Sequence, residues 1–420
     1  EQSRQPFYPD ASRVFEEIDR LGVGEDGHAG ILAAQADYDF IRILPSSGWS
    51  HGLPAAERSD LGEGDIAPER IWSDYFPYRP AHLRREPTRA MLATLTNRIV
   101  AALSAGDYDG AIWLEGSPYI EETTYWLNLL LDTTIPLAGC AALDFAHGAL
   151  GAGGDQHIVE AVRYIGSRIW ADDAGRDAVG TVIISASRVF ASRDAQKADA
   201  RAGGFVDTGA HGGVVGSVNG SETVLTYRPT RRHTFTSEVR LSAPPSSVAG
   251  VRGLEPVEVA VKDADGLLLP DAIPFVSIHK HARYLAEDTS DAADAEVELL
   301  ARLETNLRDH PLAGFVVEGA APYGTSGPSA DTLFRRAVFS GMPVVRTGRG
   351  NAEGFVPHER MHLTIAGSNL TATKARILLM ASLLKLGALP VAADPDHPTD
   401  AEVRATEAAL ARYQELFDTH

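Results

Sequence analysis

Short apolar runs rich in β-branched residues alternate along the first half of the chain with longer segments whose apolar residues recur at helical spacing. The short runs predict four strands, at Phe40–Leu44, Gly110–Glu115, Ile135–Gly139 and Thr181–Ser185. The longer segments predict helices at Pro87–Ser104 and Ile120–Leu131. Such alternation is typical of crossover units that build a parallel sheet. A hairpin is predicted over Gly212–Arg228, where an Asn-Gly pair separates two strand patterns.

A second alternating set occupies the last third of the chain. It predicts strands at Phe275–His279, Gly314–Glu318 and Pro343–Arg346, and helices at Asp291–Asp309, Ala330–Ser340, Thr371–Leu386 and Thr399–Phe417. Between the two sets the periodicity weakens while Pro, Ser and charged residues rise, as in a connection between domains. The predicted organisation is an N-terminal extension (1–37), an N-terminal α/β domain (38–230), a linker (231–271) and a C-terminal α/β domain (272–420).

Composition narrows the class of partner. The 420 residues carry 38 Lys and Arg against 57 Asp and Glu, a net charge of −19, which argues against nucleic acid or an anionic membrane surface and favours a small molecule. No apolar stretch approaches the ~20 residues of a membrane span. The polar start is unlike a signal peptide, so a cytoplasmic location is expected, although the missing initiator Met leaves export open. The single cysteine, Cys140, excludes an intramolecular disulfide and is expected in the core.

The first chemically informative segment runs from Gly110 to Cys140 as strand, turn, acidic helix start, apolar helix and strand. Gly116 allows a sharp turn at the carboxyl end of the first strand, where open α/β sheets bind ligands. Ser117 and Tyr119 are therefore expected in a crevice. The alternative for Ser117 is that its hydroxyl caps the following helix.

This segment also resembles a known family. Residues 115–123, EGSPYIEET, are similar to the motif H-G-T-D-T-x-E-E-T of bacterial-type asparaginases and glutaminases. TVIISASRVFASRDAQKAD resembles that family's V-x-x-N-D-x-I-x-x-A-R-x-x-x-K-T, and AGSNLTATKARILLMASLL resembles its G-x-L-x-x-x-K-A-R-x-x-L-x-x-A. SGMPVVRTGRG is similar to a strand of the family's smaller domain, so the colinear correspondence covers about residues 38–390.

The resemblance implies a two-domain α/β fold, with a larger N-terminal domain built on a parallel or mixed sheet and a smaller C-terminal α/β domain. It also implies a homo-oligomer, a dimer of dimers, whose active sites borrow residues from a neighbouring subunit. In that family a hydroxyl attacks an amide carbonyl to form an acyl-enzyme that water hydrolyses. The N-terminal domain is then the catalytic one.

Three residues carry the implied site. Lys197 falls on the family lysine, and a lysine beside a hydroxyl can accept its proton; the alternative is a surface lysine in a loop. Ser117 falls on the family's second hydroxyl. Pro118 replaces the Asp that binds the substrate α-ammonium, so a free amino acid would lose a charge-assisted contact of about 1.5–3 kcal/mol. This replacement argues against asparagine as the substrate.

The family nucleophile has no direct counterpart. IRILPSSGWSHG resembles the family's I-x-I-L-A-T-G-G-T-I-A-G, and the nucleophilic Thr falls on Trp49, directly after Gly48. Ser50 is the candidate if the loop shifts by one residue, with Ser46 and Ser47 as neighbouring substitutes. Residues 48–52 also spell G-x-S-x-G after a strand pattern, a signature that presents an exposed serine.

Further substrate-binding candidates lie in loops. YFPYRPAHL resembles the family loop that binds the substrate α-carboxylate. The resemblance implies that Tyr78 and Arg79 enter the pocket, as an aromatic wall and an anion clamp; the alternative is an ordinary exposed arginine in a Pro-rich loop. GAAPYGTSGPS lies where the family loop reaches a neighbouring subunit's pocket, which implies Tyr323 and Ser326 as candidates. Glu353 in GRGNAEGF is another, and the alternative for all three is an ordinary loop residue. Aromatic residues near these positions suit a bulkier and more apolar substrate than asparagine.

No metal or cofactor is expected. His279 and His281 are spaced to face the same side of a strand, but no third ligand accompanies them. The predicted function is a hydrolase of the asparaginase-like fold that acts on an amide, lactam, ester or lactone other than free asparagine, through Ser50 or Ser117 assisted by Lys197. Two alternatives remain open: ring opening or C–C cleavage of a cyclic substrate, and a non-catalytic paralogue that binds a small molecule.

Overall fold

The computed structural model describes residues 88–104, 106, 108–140, 153–198, 205–207, 213–220, 222–284, 290–350 and 363–420, and the architecture below refers to these. The strand predicted at Phe40–Leu44 lies outside them. Strands of the first half are β1 (Ala111–Leu114), β2 (Leu137–Cys140), β3 (Val182–Ser185), β4 (Arg188–Ala191), β5 (Ala195–Lys197), β6 (Phe205–Asp207), β7 (Val214–Asn219) and β8 (Glu222–Leu225). The sequence predictions for β1, β2, β3 and the β7–β8 hairpin are confirmed.

Six of these strands form one mixed sheet in the order β1-β2-β3-β4-β7-β8, while β5 and β6 pair antiparallel beside it. The first three strands run parallel and the others antiparallel. The change of direction follows a two-residue turn in which Ala186 and Ser187 both have positive φ values, 51° and 60°. A hairpin of this kind usually carries Gly or Asn at those positions. β4 therefore had no turn signal in the sequence to predict it.

Helices cover both faces of this sheet. They are α1 (Met91–Ser104), α2 (Ile120–Leu130) and α3 (Gly153–Ser167). Along β3, Ile183 belongs to the core beneath α2, whereas Val182 and Ile184 belong to the core beneath α3, as alternation along a strand requires. α2 approaches the sheet closely because Gly139 has no side chain: a Cβ there would lie 2.7 Å from a methyl of Thr124. The predicted α1 and α2 are confirmed, and α3 was not predicted.

The second half contains a four-stranded parallel sheet. Its elements in chain order are β9 (Ser247–Arg252), β10 (Glu255–Ala260), β11 (Phe275–Lys280), α4 (Val297–Asp309), β12 (Ala313–Gly319), α5 (Pro328–Phe339), β13 (Val344–Gly348), β14 (Ile365–Ala366), α6 (Ala372–Leu386) and α7 (Asp400–Thr419). The sheet order is β11-β12-β13-β14. The strands and helices predicted for this half are confirmed, although the helix predicted from Asp291 begins only at Val297. Thr399 caps α7 by accepting a hydrogen bond from Glu402 N, and the Glu402 side chain completes the capping box.

The range predicted as a linker contains the β9–β10 hairpin. Its turn residues, Gly253 and Leu254, have positive φ values of 57° and 68°. A hydrogen bond of 2.8 Å from Val251 N to the carbonyl of Pro311, the residue two positions before β12, holds the hairpin beside the second half. The apolar core beneath α2 continues without a break into the second half. The exact domain boundaries remain a prediction.

Candidate active site

Ser117 lies in the turn that joins β1 to α2, at the carboxyl end of the parallel strands. Its Oγ is buried and finds no hydrogen-bond partner in the part of the chain that the structure describes. The N-cap residue of α2 is Tyr119, which makes no side-chain cap, and the turn closes through a hydrogen bond from Glu121 N to the Pro118 carbonyl, 3.1 Å. The Ser117 hydroxyl therefore does not cap the helix. A buried hydroxyl without a partner costs about 1–3 kcal/mol, which a bound ligand group would recover.

The residues after Ser117 form the outer side of this turn. Pro118 is exposed and follows a cis peptide bond. Tyr119 is 57% exposed. Neither offers a charge to a ligand at the amino end of α2, where the helix dipole favours negative charge.

Glu115 lies immediately before the turn, and sequence reasoning gave it no role. Its side chain is buried, and Oε2 accepts a hydrogen bond of 2.9 Å from Trp113 Nε1. The carboxylate is thus held by a residue of β1, the strand that leads into the Ser117 turn. In the motif EGSPYIEET this position falls on the family's histidine, which gave no signal for a buried acid.

Lys197 ends β5, beside the first turn of α2. Its backbone N–H donates a hydrogen bond of 2.7 Å to Glu121 Oε2. Its Nζ lies 5.4 Å from the centre of the Phe205 ring on β6. Burial raises the pKa of Glu121, whereas the charge of Lys374 and the Lys197 N–H lower it. The structure therefore brings the strand of Lys197 to the first turn of α2, which begins three residues after Ser117.

Lys374 on α6 is the most buried charged group near this turn, with 1% of its surface exposed. Its Nζ donates to the carbonyl of Glu121 and, at 2.5 Å, to the carbonyl of Ser192. The ammonium also lies 5.3 Å from the centre of the Tyr125 ring. Burial lowers the pKa of Lys374 to about 8, against the opposing charges of Glu121, Asp194 and Glu122. Sequence reasoning quoted the K-A-R segment but assigned no role to its lysine.

Two further ion pairs hold the same region. Arg376 pairs with Glu122 in the first turn of α2. Arg193, at the end of β4, donates 2.6 Å hydrogen bonds to Asp194 Oδ1 and to the His420 carbonyl. Arg376, through Glu122, and Arg193, through the His420 carbonyl, thus join elements that are far apart in sequence.

Tyr323 and Ser326 belong to the loop between β12 and α5. Tyr323 is 41% exposed. Ser326 Oγ bonds to Asp331 and accepts from Arg346 Nη1 at 2.9 Å, so its hydroxyl is engaged within its own loop. Arg346 also donates to the Gly324 carbonyl at 3.2 Å. The buried side chain of Arg346 therefore holds this loop in place through two hydrogen bonds. The hydrogen bonds of Ser326 are thus to Asp331 and Arg346 and not to Ser117.

His279 and Cys140 are packed against other residues of the fold, as residues with a structural role are. The His279 ring lies 5.6 Å from that of Phe334, and burial lowers its pKa. Among the described residues no group of three His, Cys, Asp or Glu is placed to hold a metal ion. Cys140 is buried, its thiol donates to the His157 carbonyl at 3.3 Å, and burial raises its pKa. The thiol is therefore unsuited to act as a nucleophile.

Eight predicted site residues lie outside the described residues: Ser46, Ser47, Gly48, Trp49, Ser50, Tyr78, Arg79 and Glu353. Of the others, Ser117, Pro118 and Tyr119 share the turn between β1 and α2. Lys197 lies on β5, which contacts the first turn of α2. Within the described ranges, no helix combines the length and the apolar content needed to cross a membrane.

A solved structure with a similar fold is a probable cytoplasmic L-asparaginase from Campylobacter jejuni. The TM-score is 0.55 at 18% sequence identity, and the similarity covers 79% of this chain and 81% of that one. At that identity the likeness shows the fold alone, and it confirms the predicted asparaginase-like two-domain α/β fold. No protein-family model and no curated protein matches the chain.

Proposed function

We propose that the protein is a hydrolase in which a serine hydroxyl attacks a carbonyl carbon and Lys197 assists proton transfer. The observation that carries the proposal is the buried Ser117 Oγ, unpartnered in the described part of the chain, at the carboxyl end of β1. The strand of Lys197 is hydrogen-bonded through Glu121 to the helical turn that follows. A hydroxyl without an internal partner keeps its lone pairs available to a ligand. Ser50 is the other candidate nucleophile.

In the proposed reaction the Ser117 oxygen bonds to the carbonyl carbon while its proton passes to the neutral amine of Lys197. The C–N or C–O bond of the substrate then breaks, and the leaving group takes that proton. Water adds to the acyl carbon and gives a proton to the same amine. The acyl–serine bond breaks, the proton returns to Ser117, and a carboxylic acid is released. The dipole of α2, whose positive end lies beside Ser117, favours the negative oxygen that develops.

The proposed substrate is an amide, lactam, ester or lactone without a free α-amino acid group. The name of the Campylobacter protein, an L-asparaginase, supports an amide or related carbonyl as the reacting group. Pro118 supports a substrate other than asparagine, because it offers no charge to an α-ammonium. The exposed ring of Tyr119 adds apolar surface beside the hydroxyl. Trp49 and Arg79 are proposed to complete the pocket.

We propose the same assembly as in asparaginases, a dimer of dimers, with Tyr323 and Glu353 contributed to a neighbouring subunit's pocket. The fixed loop that carries Tyr323 supports this, because a residue that acts in another subunit needs a defined position. A cytoplasmic location is proposed by analogy with the probable cytoplasmic L-asparaginase of Campylobacter jejuni.

The test combines a fluorophosphonate probe with turnover of p-nitrophenyl acetate. Wild type, Ser117→Ala, Ser50→Ala and Lys197→Met are compared, and the labelled serine is identified by mass spectrometry. Ser277→Ala is the matched control, since Ser277 also has a buried hydroxyl without a partner in the described part but lies on the second sheet. We expect labelling of one active-site serine, its loss in that serine's Ala variant, and slower labelling in Lys197→Met.

Three results would contradict the proposal at different points. Labelling of no serine would favour a protein that binds a small molecule without turnover. Equal labelling of Ser277→Ala and Ser117→Ala, with Ser50 labelled in both, would move the nucleophile to Ser50. Rapid ammonia release from asparagine would contradict the substrate class. Product mass separates ring opening, which adds water without releasing a fragment, from cleavage into two products.

A further inference from the structure

Lys374 lies between two segments that the proposed chemistry needs in fixed relation. The first is the opening turn of α2, which follows Ser117 directly, and the second is the end of β4, from which the chain continues to Lys197. Lys374 Nζ donates to a backbone carbonyl in each, that of Glu121 and that of Ser192. Their positions are 253 and 182 residues away along the chain, so α6 joins them only through the tertiary structure.

Burying the Lys374 ammonium at this position costs free energy, because a charged group loses its hydration. α6 is otherwise a largely apolar helix, with buried neighbours such as Leu378 and Leu379, and a methionine or leucine at position 374 would suit its surroundings better. The Tyr125 ring and the nearby carboxylate of Glu121 offset part of this cost. The directional bonds to two carbonyls are what an apolar side chain could not supply.

A second lysine of the same helix provides a contrast. Lys385 Nζ donates to the Glu238 carbonyl at 2.8 Å and pairs with the Glu238 carboxylate at 3.6 Å. It is partly exposed and contacts neither the first turn of α2 nor the β4–β5 segment in any bond that the structure shows. The two lysines therefore make the same type of contact, but only Lys374 joins the segments that carry Ser117 and Lys197.

We infer that Lys374 is a positioning residue, which sets the turn of Ser117 against the strand of Lys197 by bonding to both backbones. The inference rests on the proposed hydrolase function. Lys374 does not contact the reacting atoms in this arrangement. Its effect passes through the carbonyls of Glu121 and Ser192, and through the Glu121 carboxylate that receives Lys197 N–H.

The kinetic test uses full-length protein and p-nitrophenyl acetate. In Lys374→Met the side chain keeps its length and loses the two bonds. We expect kcat to fall about 10- to 100-fold because a small misplacement of reacting groups has an effect of that size, while KM changes by less than about twofold. Lys385→Met is the matched control and should retain kcat within about twofold. Leu379→Ala, a destabilised variant of the same helix, separates loss of stability from loss of positioning.

Hydrogen exchange tests the geometry without reference to activity. In Lys374→Met the amides of residues 119–123 and 192–197 should exchange faster than in wild type, whereas those of 126–130 in the same helix should not. Unchanged exchange in both segments, or a kcat equal to that of Lys385→Met, would overturn the inference. A fall in kcat of the same size in Leu379→Ala at matched stability would overturn it as well. Failure of the wild type to turn over the ester would instead overturn the proposed function, and the exchange data would still report whether Lys374 joins the two segments.

Discussion

Glu121 Oε2 accepts a hydrogen bond of 2.7 Å from the backbone N–H of Lys197, across 76 positions of sequence. The bond joins the first turn of α2 to β5. Glu121, the first acid of the E-E-T motif, is therefore the hydrogen-bond acceptor for the strand that carries Lys197. The neighbouring Glu122 faces elsewhere and pairs with Arg376.

The two glutamates predict a difference between adjacent substitutions. Glu121→Ala removes the acceptor of Lys197 N–H, so we expect a loss of about 1 kcal/mol in stability and a clear fall in turnover of p-nitrophenyl acetate. Glu121→Gln keeps an acceptor and should lose less. Glu122→Gln is the control within the same turn, and a turnover as low as that of Glu121→Ala would contradict this account.

The Arg346–Asp331 pair predicts an asymmetric effect on stability. The side chain of Arg346 is 3% exposed and that of Asp331 is 45% exposed, and the two are joined at 2.7 Å. Asp331→Ala leaves a buried guanidinium without its carboxylate, and we expect the free energy of unfolding to fall by about 2–4 kcal/mol. Arg346→Met leaves a carboxylate that water can reach, and we expect the free energy of unfolding to fall by only about 1 kcal/mol. Urea unfolding of both variants measures the order, and an equal or reversed order would contradict it.

His233 predicts a loss of stability in mild acid. Burial lowers its pKa from 6.5 to about 4, so between these values the unfolded chain binds a proton that the folded chain does not. The contribution is fully present above pH 6.5 and is lost as the pH falls toward 4, by about 3 kcal/mol. Chemical unfolding of wild type and His233→Asn across pH 4–7 measures it. The stability difference between the two proteins should shrink as the pH falls, and a constant difference would exclude His233 as the cause.

Asp177 predicts the opposite slope in an overlapping range. Its carboxyl is buried, accepts N–H bonds from Val179 at 2.9 Å and Gly180 at 3.1 Å, and burial raises its pKa to about 7. The folded chain therefore binds the proton more tightly, and the contribution is present below the ordinary value near 3.8 and lost as the pH rises through 7.

Asp177→Asn tests this slope. The amide keeps an acceptor for the two N–H groups and carries no charge. We expect the stability of the variant relative to wild type to rise by about 3–4 kcal/mol between pH 4 and pH 8. Because His233 and Asp177 act in opposite directions, wild type alone would show only their difference. A relative stability that does not change with pH would refute the prediction.

Sequence patterns predicted most of the regular elements. β1, β2, β3, the β7–β8 hairpin and the helices of the second half follow from local periodicity, because a strand alternates every two residues and a helix every 3.6 regardless of its partners. β4 was missed because its turn residues, Ala186 and Ser187, are not the usual ones for positive φ. β9 and β10 were missed because their range is rich in Pro, Ser and charged residues, as a connection would be.

The candidate site divides in the same way. The order of residues along the chain was enough to predict that Ser117 follows a strand, that acidic residues begin the next helix, and that Pro118 leaves that turn without a charge. The tertiary structure alone decided that Ser117 Oγ is buried without a partner in the described part, that Lys374 is enclosed, and that Glu121 receives Lys197 N–H. Local patterns depend on neighbours a few positions apart, whereas these contacts join residues 76 to 253 positions apart and exist only once the sheet, α2 and α6 have packed together.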